Sequence, residues 1–312
     1  MTATSTRPPA GYLRRLGRDL VRNRVAYLML LPVVAYFAVF HYVPMYGTLI
    51  AFKDFNPAAG IAGSEWVGLE WFRQFFNGLF IERLIANTLL LNIYDVLFGF
   101  PAPIILALLL NELTSERFRR LVQTITYLPH FISVVVVAGM LLDFAARDGI
   151  LTQMAVALGG SPDPLINDPS WFRTLFVGSE VWQSVGWGSI IYLATLSAIN
   201  PSLYEAARID GANRWQRMVH VTLPGLLPIV STLLVLRLGQ LMTVGFEKVI
   251  LLYNPGTYET ADVISTYVYR HGILDANYSY AAAVGLCNSA VALLLLVAAN
   301  RLSRKLTGNS IW

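Results

Sequence analysis

The sequence predicts an all-α, polytopic membrane protein with six transmembrane helices and a helical loop on the cytoplasmic side. Of its 312 residues, 55% are hydrophobic and only 13% are charged, whereas a soluble domain has about a quarter charged residues. Apolar runs of about twenty residues recur along the chain, and an α-helix of that length crosses the hydrocarbon core of a bilayer. Lysine and arginine are unevenly distributed among the segments between these runs. We therefore expect lipid to be the main solvent of the chain.

Six apolar segments are predicted to span the membrane, and the first of them has an arginine-rich flank. The first follows a cluster of arginines like that at the start of a signal peptide, but its apolar run is too long for a cleaved signal. We expect it to remain as an uncleaved anchor. The predicted spans lie near 25–50, 85–110, 120–142, 175–199, 225–246 and 280–299.

The distribution of basic residues predicts the orientation of these spans. Fifteen Lys and Arg residues lie on the side that carries both termini, and seven lie on the other side, whose loops hold 12 acidic residues. Because basic loops stay in the cytoplasm, both termini are predicted to be cytoplasmic, in a bacterial inner membrane. The predicted domain organisation is a basic N-terminal segment over 1–24, a six-span domain over 25–299 with a cytoplasmic loop at 200–224, and a tail over 300–312.

Several classes of function are disfavoured by composition. The net charge of +4 follows from membrane topology, so no nucleic-acid partner is needed to explain it. Cys287 is the single cysteine, and the four histidines are far apart in sequence, so no metal site and no catalytic group is predicted. The outward loops near 51–84, 143–174 and 247–279 are rich in aromatics, and we interpret them as an interfacial belt with short surface helices.

The segment 200–224 is polar and rich in arginine, although it lies between two apolar runs. Ser202 stands three residues before Glu205, a capping-box spacing that predicts a helix start. Gly211 then provides a tight corner, and Asn213 caps a second short helix. From these residues alone, a rigid protrusion and an ordinary connecting segment are equally good readings.

A resemblance favours the protrusion. The stretch "EAARIDGANRWQRMVHVTLP" resembles the E-A-A-x3-G-x9-I-x-L-P signature of ATP-binding-cassette importer permeases, with Val221 in place of the usual isoleucine. The stretches "DVISTYVYRHGI" and "YGTLIAFKDFNP" resemble the carbohydrate-uptake branch, in particular its maltose-permease-like oligosaccharide and polysaccharide permeases. The resemblance covers nearly the whole chain.

The resemblance implies a mechanism and a set of partners. Two permeases form the pore, two ATPase subunits dimerise beneath them, and an extracytoplasmic solute-binding protein delivers the sugar. Each permease places its motif helix in a cleft of one ATPase, so that nucleotide-driven closure changes the access of the pore. This chain has no phosphate-binding loop motif, so ATP and Mg²⁺ are expected on the partner and no cofactor on this chain. The implied coupling residues are Glu205, Ala206, Ala207, Arg208, Gly211, Arg214, Trp215, Leu223 and Pro224.

Three charged residues fall inside predicted spans. Asp95, Glu180 and Arg237 lie at similar depths, so Arg237 can neutralise either acid. An ion pair that holds helices together and a role in lining the pore are equally good interpretations. Aromatic rings, amides and carboxylates on the same spans are the groups that bind sugars, and they also join helices. The candidate substrate-pathway residues are Asn92, Tyr94, Asp95, Glu180, Trp182, Gln183, Trp187, Arg237, Gln240 and Asn288.

Other readings leave the 204–224 signature unexplained. A permease of the same importer class for a non-sugar solute is the nearest alternative. A membrane-embedded enzyme needs a nucleophile and base or a metal cluster, and the sequence shows no such arrangement. A secondary transporter is usually built from inverted repeats, and no such repeat is visible.

Overall fold

The computed structural model describes residues 22–242 and 244–307, which are almost entirely helical. Most of the predicted N-terminal segment 1–24 and the end of the predicted tail, 308–312, lie outside the described residues. One short ribbon departs from the all-α expectation, because β1 (Lys53–Asp54) pairs antiparallel with β2 (Glu65–Trp66). Lys53 lies opposite Trp66 in this ribbon.

The α-helices follow one another along the chain with short 3₁₀ and π-helical segments between several of them. In chain order they are α1 (Arg24–Phe37), α2 (Val43–Met45), α3 (Gly60–Gly63), α4 (Glu70–Phe76), α5 (Ile81–Tyr94), α6 (Pro101–Glu112), α7 (Glu116–Tyr127), α8 (Val134–Phe144), α9 (Ile150–Ala157), α10 (Pro169–Ser197), α11 (Pro201–Ile209), α12 (Arg214–Arg217), α13 (Leu223–Gly239), α14 (Phe246–Leu252), α15 (Tyr258–Ala261), α16 (Ile264–Tyr269) and α17 (Tyr278–Thr307).

Helices occupy most of each predicted span, although the fifth ends at Gly239 instead of near 246, and they are not equally apolar. Among the described residues, four continuous helices are long and apolar enough to cross a membrane, and a bent pair adds a fifth candidate. The remaining span is α10, which has 29 residues and is more polar. The four continuous helices that meet the criteria of length and hydropathy are Arg24–Phe52, Ile81–Glu112, Arg214–Gly239 and Tyr278–Leu302.

The third predicted span is not one straight helix. Glu116–Phe131 and Val134–Phe144 meet at 98°. Pro129 lies in a 3₁₀ turn at the end of the first piece, and the Ser133 side chain accepts a hydrogen bond from the N–H of Val136 to start the second. Proline and a serine N-cap together therefore break the helix where sequence hydropathy predicted continuity.

The outer segment between the last two spans is also more structured than predicted. Val249, Ala261 and Val263 are fully buried, and they join a core cluster that contains Phe172 and Phe176 of α10. The expectation of a surface belt at 247–279 is therefore wrong for this part. Its short helices are interrupted by Asn254 and Gly256, so their apolar residues never form a run that hydropathy detects.

The first span makes little contact with the rest of the chain. No residue of α1 is buried, and nearly every apolar side chain on it is exposed. Contact with the rest of the fold develops only in the 3₁₀ segment Tyr46–Phe52, which packs against α17. Lipid or another subunit must cover this helix, because a soluble surface of that kind would be unstable in water.

Helices α7 and α10 approach each other at Gly186. A Cβ built on Gly186 would overlap the carbonyl oxygen of Thr126 on α7. We therefore expect Gly186→Ala to destabilise the protein by about 1–3 kcal/mol, as overpacking does in other cores. Gly178 on the same helix is the matched control, because a Cβ there meets no atom within 4 Å. Thermal unfolding of the purified protein in detergent should show a loss for Gly186→Ala and none for Gly178→Ala; equal effects would contradict this packing.

Candidate functional site

The segment after α10 begins with an asparagine cap. The Asn200 side chain accepts a hydrogen bond from the N–H of Ser202 at 3.0 Å, and Pro201 is the first residue of α11. The prediction that Ser202 starts the helix is therefore wrong by two residues. Proline suits the first helical position because its φ is already helical and the missing N–H would be unpaired there.

Gly211 forms the predicted corner. It adopts φ +79°, its N–H donates to the carbonyl of Arg208 at 3.0 Å, and the N–H of Ala212 donates to that of Ala207 at 2.9 Å. This left-handed end of a helix is the conformation for which glycine is preferred. A Cβ at Gly211 would meet no atom within 4 Å, so the backbone angle, and not a lack of space, requires glycine.

The second piece is the beginning of a long helix. The Asn213 side chain accepts from the N–H of Gln216 at 2.9 Å and the Gln216 side chain accepts from the N–H of Asn213 at 2.8 Å, which confirms the predicted cap. The helix then continues from Arg214 to Gly239, 26 residues in all. The prediction that Pro224 starts the fifth span is therefore wrong. Pro224 lies inside the helix, just after a π-helical turn over Met218–Thr222. Proline has no N–H to donate, so the hydrogen-bond ladder shifts locally there.

The elbow formed by α11, Gly211 and α12 is compact and exposed. The hydroxyl group of Tyr204 on α11 lies 3.1 Å from that of Thr222, in the π-helical turn that follows α12. Two apolar side chains, Ile209 and Trp215, are 87% and 67% exposed, which is typical of a docking surface. Sequence reasoning missed Ile209, although an isolated isoleucine in a polar segment is a usable signal. Among the predicted coupling residues, the structure exposes Glu205, Ala206, Arg208, Gly211, Arg214, Trp215, Leu223 and Pro224 and leaves Ala207 half-buried.

A polar cleft of about 500 Å³ opens beside the elbow. Glu112 at the end of α6 and the loop that follows it form one wall, and Glu205, Arg208, Arg214 and Arg217 lie on the other. Three of the predicted coupling residues, Glu205, Arg208 and Arg214, thus line one cleft. Their role in coupling stays a prediction.

The intramembrane charges form two ion pairs. Arg237 donates to the carboxylate of Asp95. This is one of the two pairings that the sequence allowed for Arg237. Glu180 instead pairs with Lys248, with 3.0 Å between Nζ and Oε2. All four groups are close enough for Asp95 to interact electrostatically with Glu180 and Lys248 as well.

Lys248 is the functional candidate that sequence reasoning missed. It was assigned to an outer loop, but it is buried on α14 and its ammonium lies over the ring of Phe176 at 5.4 Å. The apolar run that follows it is the only signal in the sequence. In each pair one partner is buried, whereas Arg237 and Glu180 keep 42% and 36% of their side-chain surface exposed. Arg237 and Glu180 are therefore the accessible partners of the two pairs.

A second group of candidates lies at the break in the third span. The Gln183 side chain donates to the carbonyl of Ile132 at 2.8 Å. The ring of Trp187 stacks on His130 with 4.7 Å between centroids and meets Phe131 edge-on. His130 and Phe131 were not predicted as site residues, although their position beside Pro129 marks them in retrospect.

The other predicted pathway residues are dispersed or engaged elsewhere. Asn92 donates to a carbonyl of its own helix at 2.8 Å, and Asn288 donates to the carbonyl of Met242 at 3.2 Å. Tyr94 packs against a core cluster, and Gln240 follows the last residue of α13. Trp182 lines an apolar cavity of about 440 Å³ near α9. The structure therefore does not gather the ten predicted residues into one pocket.

Metal-binding groups are not gathered anywhere in the part of the chain that the structure describes. Within it, no three His, Cys, Asp or Glu side chains are grouped so that they could hold a metal ion.

Comparison with known proteins then decides the family. Residues 99–308 match the family described as "Binding-protein-dependent transport system inner membrane component". The chain belongs to this family. Members are permease subunits of ATP-binding-cassette importers, so the assignment from the 204–224 signature is confirmed, and the chain is a membrane-embedded transport component rather than an enzyme.

Two relatives from one organism match nearly the whole chain. Protein LplB of Bacillus subtilis (strain 168) is 43% identical over 92% of this chain and 90% of its own. The polygalacturonan/rhamnogalacturonan transport system permease protein YteP of the same organism is 42% identical, over 96% and 94%.

Solved structures show the same permease fold. A chain of a bacterial ABC transporter involved in the import of the acidic polysaccharide alginate is 46% identical, with a TM-score of 0.86 over 94% of this chain and 99% of that one. A second structure, of the bacterial alginate transporter in complex with alginate pentasaccharide-bound periplasmic protein, gives 44% identity and a TM-score of 0.87, over 95% and 100%. The predicted fold class is confirmed by these matches.

Proposed function

We propose that this chain is one of two pore-forming permease subunits of an importer that moves an oligosaccharide or polysaccharide inward by alternating access. The observation that carries the proposal is the exposed elbow of α11 and α12, which is joined without a break to a membrane-spanning helix. A connecting loop has no need of a capping box, a left-handed glycine and a tyrosine–threonine contact in so few residues.

The elbow is proposed to dock in a cleft of an ATPase subunit. Exposed Ile209 and Trp215 supply apolar contact area, and Glu205, Arg208 and Arg214 supply charges around it. ATP and Mg²⁺ would bind that partner, because this sequence has no phosphate-binding loop motif. Movement of the docked elbow would then change the access of the pore.

A second permease is proposed to cover the first span. That helix is apolar on all sides and has no buried residue from Arg24 to Phe37. Membrane helices associate through close packing, and a bare helix with several aromatic side chains offers a large area for it. The elbow is then cytoplasmic, both termini lie on the same side in the inner membrane, and an extracytoplasmic binding protein delivers the substrate at the other side.

Sugar as the substrate is supported by the relatives and by polar and aromatic side chains on α10 and α13. Glu180, Gln183 and Trp187 present charged, amide and aromatic groups in the middle part of α10, and Arg237 adds a guanidinium in the last turn of α13. Such groups bind hydroxyls and the C–H faces of pyranose rings. A non-sugar solute is the alternative, and uptake assays with both classes of compound decide between them.

Reversing the charge of Glu205 should uncouple the permease from its ATPase. We expect Glu205→Lys to be inserted in the membrane at normal levels but to recover less ATPase subunit in a pull-down and to lose sugar-stimulated ATP hydrolysis. Glu65→Lys is the control, because Glu65 is also exposed but lies in the β-ribbon on the outer side. Normal ATPase recovery and normal uptake in Glu205→Lys would count against the proposed docking surface.

A further inference from the structure

Three arginines converge at the outer ends of the spans, where basic residues are scarce. Arg270 donates to both carboxylate oxygens of Asp262, at 2.8 and 2.6 Å. Arg83 lies 3.7 Å from the same carboxylate. Asp262 is fully buried, and burial alone would lower the pKa of Arg270, but its hydrogen bonds to Asp262 and Tyr253 raise that pKa. Arg270 therefore stays charged.

The third arginine is tied to this group through an amide. Arg173 donates to Oδ1 of Asn87 at 2.9 Å, and the Nδ2 of Asn87 donates to the backbone carbonyl of Asp262 at 3.0 Å. Asn87 also donates to the carbonyl of Glu259 at 2.9 Å. The four polar residues and Arg83 thus form one network that fixes the segment before α16 to α5 and α10.

The network has more positive than negative charge. Arg270 and Arg83 share the carboxylate of Asp262, Arg173 has only the amide oxygen of Asn87, and Glu259 forms no ion pair in the described residues. The Nε atoms of Arg83 and Arg173 are buried, and each lacks a hydrogen-bond partner within the part of the chain that the structure describes. Partly buried charge without a counter-charge is costly. An anionic ligand at the exposed part of these guanidinium groups would supply the missing counter-charge.

Aromatic rings flank the arginines. The guanidinium of Arg270 lies 4.7 Å from the ring of Tyr258, which in turn stacks on Tyr253 at 5.1 Å. The guanidinium of Arg83 lies 4.7 Å from the ring of Phe80. Guanidinium groups bind carboxylates through paired hydrogen bonds, and aromatic rings pack against the faces of sugars. The combination suits a sugar that carries a carboxylate.

The position of the network suits substrate entry. Arg83 lies in the first turn of α5, and Arg173 is the fifth residue of α10. Asp95 directly follows α5 and Glu180 lies on α10, farther along each helix from its outer end. Twelve residues separate Arg83 from Asp95, about 18 Å along a helix. A ligand that enters from outside meets the arginines before it reaches the paired charges.

We propose that Arg83, Arg173 and Arg270 form an outer receptor for the carboxylate groups of an acidic sugar chain that contains uronic acid units. This inference rests on the proposed function and narrows its substrate class from sugars in general to anionic ones. Arg83 is 34% exposed and Arg270 is 21% exposed, so both can reach a ligand. A neutral sugar would leave the excess of positive charge without a partner.

The test compares two probes that differ only in charge. They are a tetramer of galacturonic acid and the same tetramer with every carboxyl group methyl-esterified. Binding to the assembled membrane complex in lipid nanodiscs, without the binding protein, is measured by saturation-transfer NMR, which detects weak binding. We expect the wild type to bind the acid at least tenfold more tightly than the ester. Arg83→Gln and Arg173→Gln should each weaken acid binding about tenfold or more, as loss of a hydrogen bond to a charged group does.

The variants include controls for folding and for charge. Arg270 is left unchanged, because its loss would leave the buried carboxylate of Asp262 without its main partner. Arg73→Gln removes an exposed outer arginine on α4 and should bind both probes as the wild type does. Arg83→Lys keeps the charge but not the paired donors, so intermediate binding is expected. Size-exclusion chromatography verifies that each variant assembles.

The outcomes separate this inference from the proposed function. Equal binding of acid and ester by the wild type, absence of binding, or unchanged acid binding in the glutamine variants would overturn the outer receptor. ATP-dependent uptake of a neutral sugar would still stand in that case and would support the importer. Failure of the complex to import either kind of sugar would refute the proposed function itself.

Discussion

Gly211→Pro should abolish ATP-driven uptake while the chain still inserts in the membrane. Gly211 adopts φ +79°, whereas proline fixes φ near −65°. Proline also removes the N–H that bonds to the carbonyl of Arg208 at 3.0 Å. The turn between α11 and α12 would have to open, so that Glu205 and Trp215 could no longer present one surface to a partner. Uptake in membrane vesicles and the amount of inserted protein are the two measurements.

Substitutions at the same position separate backbone strain from bulk. Asparagine tolerates the left-handed conformation, so Gly211→Asn should retain most uptake. Gly211→Val should lose most of it, because a β-branched residue at positive φ is strongly disfavoured. No atom lies within 4 Å of the position that a Cβ would take, so side-chain size alone predicts no difference between the two. Equal activity of the asparagine and valine variants, or normal uptake by the proline variant, would refute the role of this turn.

Loss of Arg237 should destabilise the protein more than loss of Asp95. Asp95 is buried, so Arg237→Met leaves an uncompensated carboxylate in the membrane domain, a change that costs about 3–5 kcal/mol in other buried pairs. Asp95→Asn leaves a guanidinium that is 42% exposed and an amide oxygen that can still accept its hydrogen bond. Thermal unfolding of the purified complex should therefore rank Arg237→Met below Asp95→Asn, and equal losses would contradict the burial that the structure shows.

The double variant Asp95→Asn/Arg237→Met distinguishes the two roles of this pair. Contacting residues show coupling energies of about 0.5–3 kcal/mol, so the double variant should recover part of the stability that Arg237→Met loses. If it also regains uptake, the pair serves only to join α13 to the second span. A double variant that is stable but inactive would show that these groups line the path of the substrate.

The sequence was sufficient for the approximate positions of the spans and for the signature of the elbow, but not for the break in the third span or the start of the fifth. Long apolar runs are local features of the sequence, and so are the helix caps Asn200 and Asn213 and the turn residue Gly211. The helices and the corner follow from these features. The starting residue of α11 was misplaced, because Asn200 and Ser202 are both good caps and only the position of Pro201 decides between them. Local chemistry therefore predicts most of the elbow.

Contacts between distant segments were not predictable in this way. Lys248 lies 68 positions from Glu180, and Asp262 lies 175 positions from Asn87. No periodicity within either segment indicates its partner. The stretch around α14–α16 looked like a loop because its helices are short, and only the cluster that it forms with Phe172 and Phe176 shows that it belongs to the core.

The uninterrupted helix from Arg214 to Gly239 has a mechanical consequence. Its 26 residues extend about 39 Å, at ~1.5 Å of rise per residue. They join the exposed indole of Trp215 to the guanidinium of Arg237. A displacement applied beneath the bilayer at Trp215 would be carried along one helix to Arg237, which lies 22 positions farther along the chain. The ion pair between Arg237 and Asp95 would then open or stay closed within the membrane in response to nucleotide hydrolysis on the partner subunit.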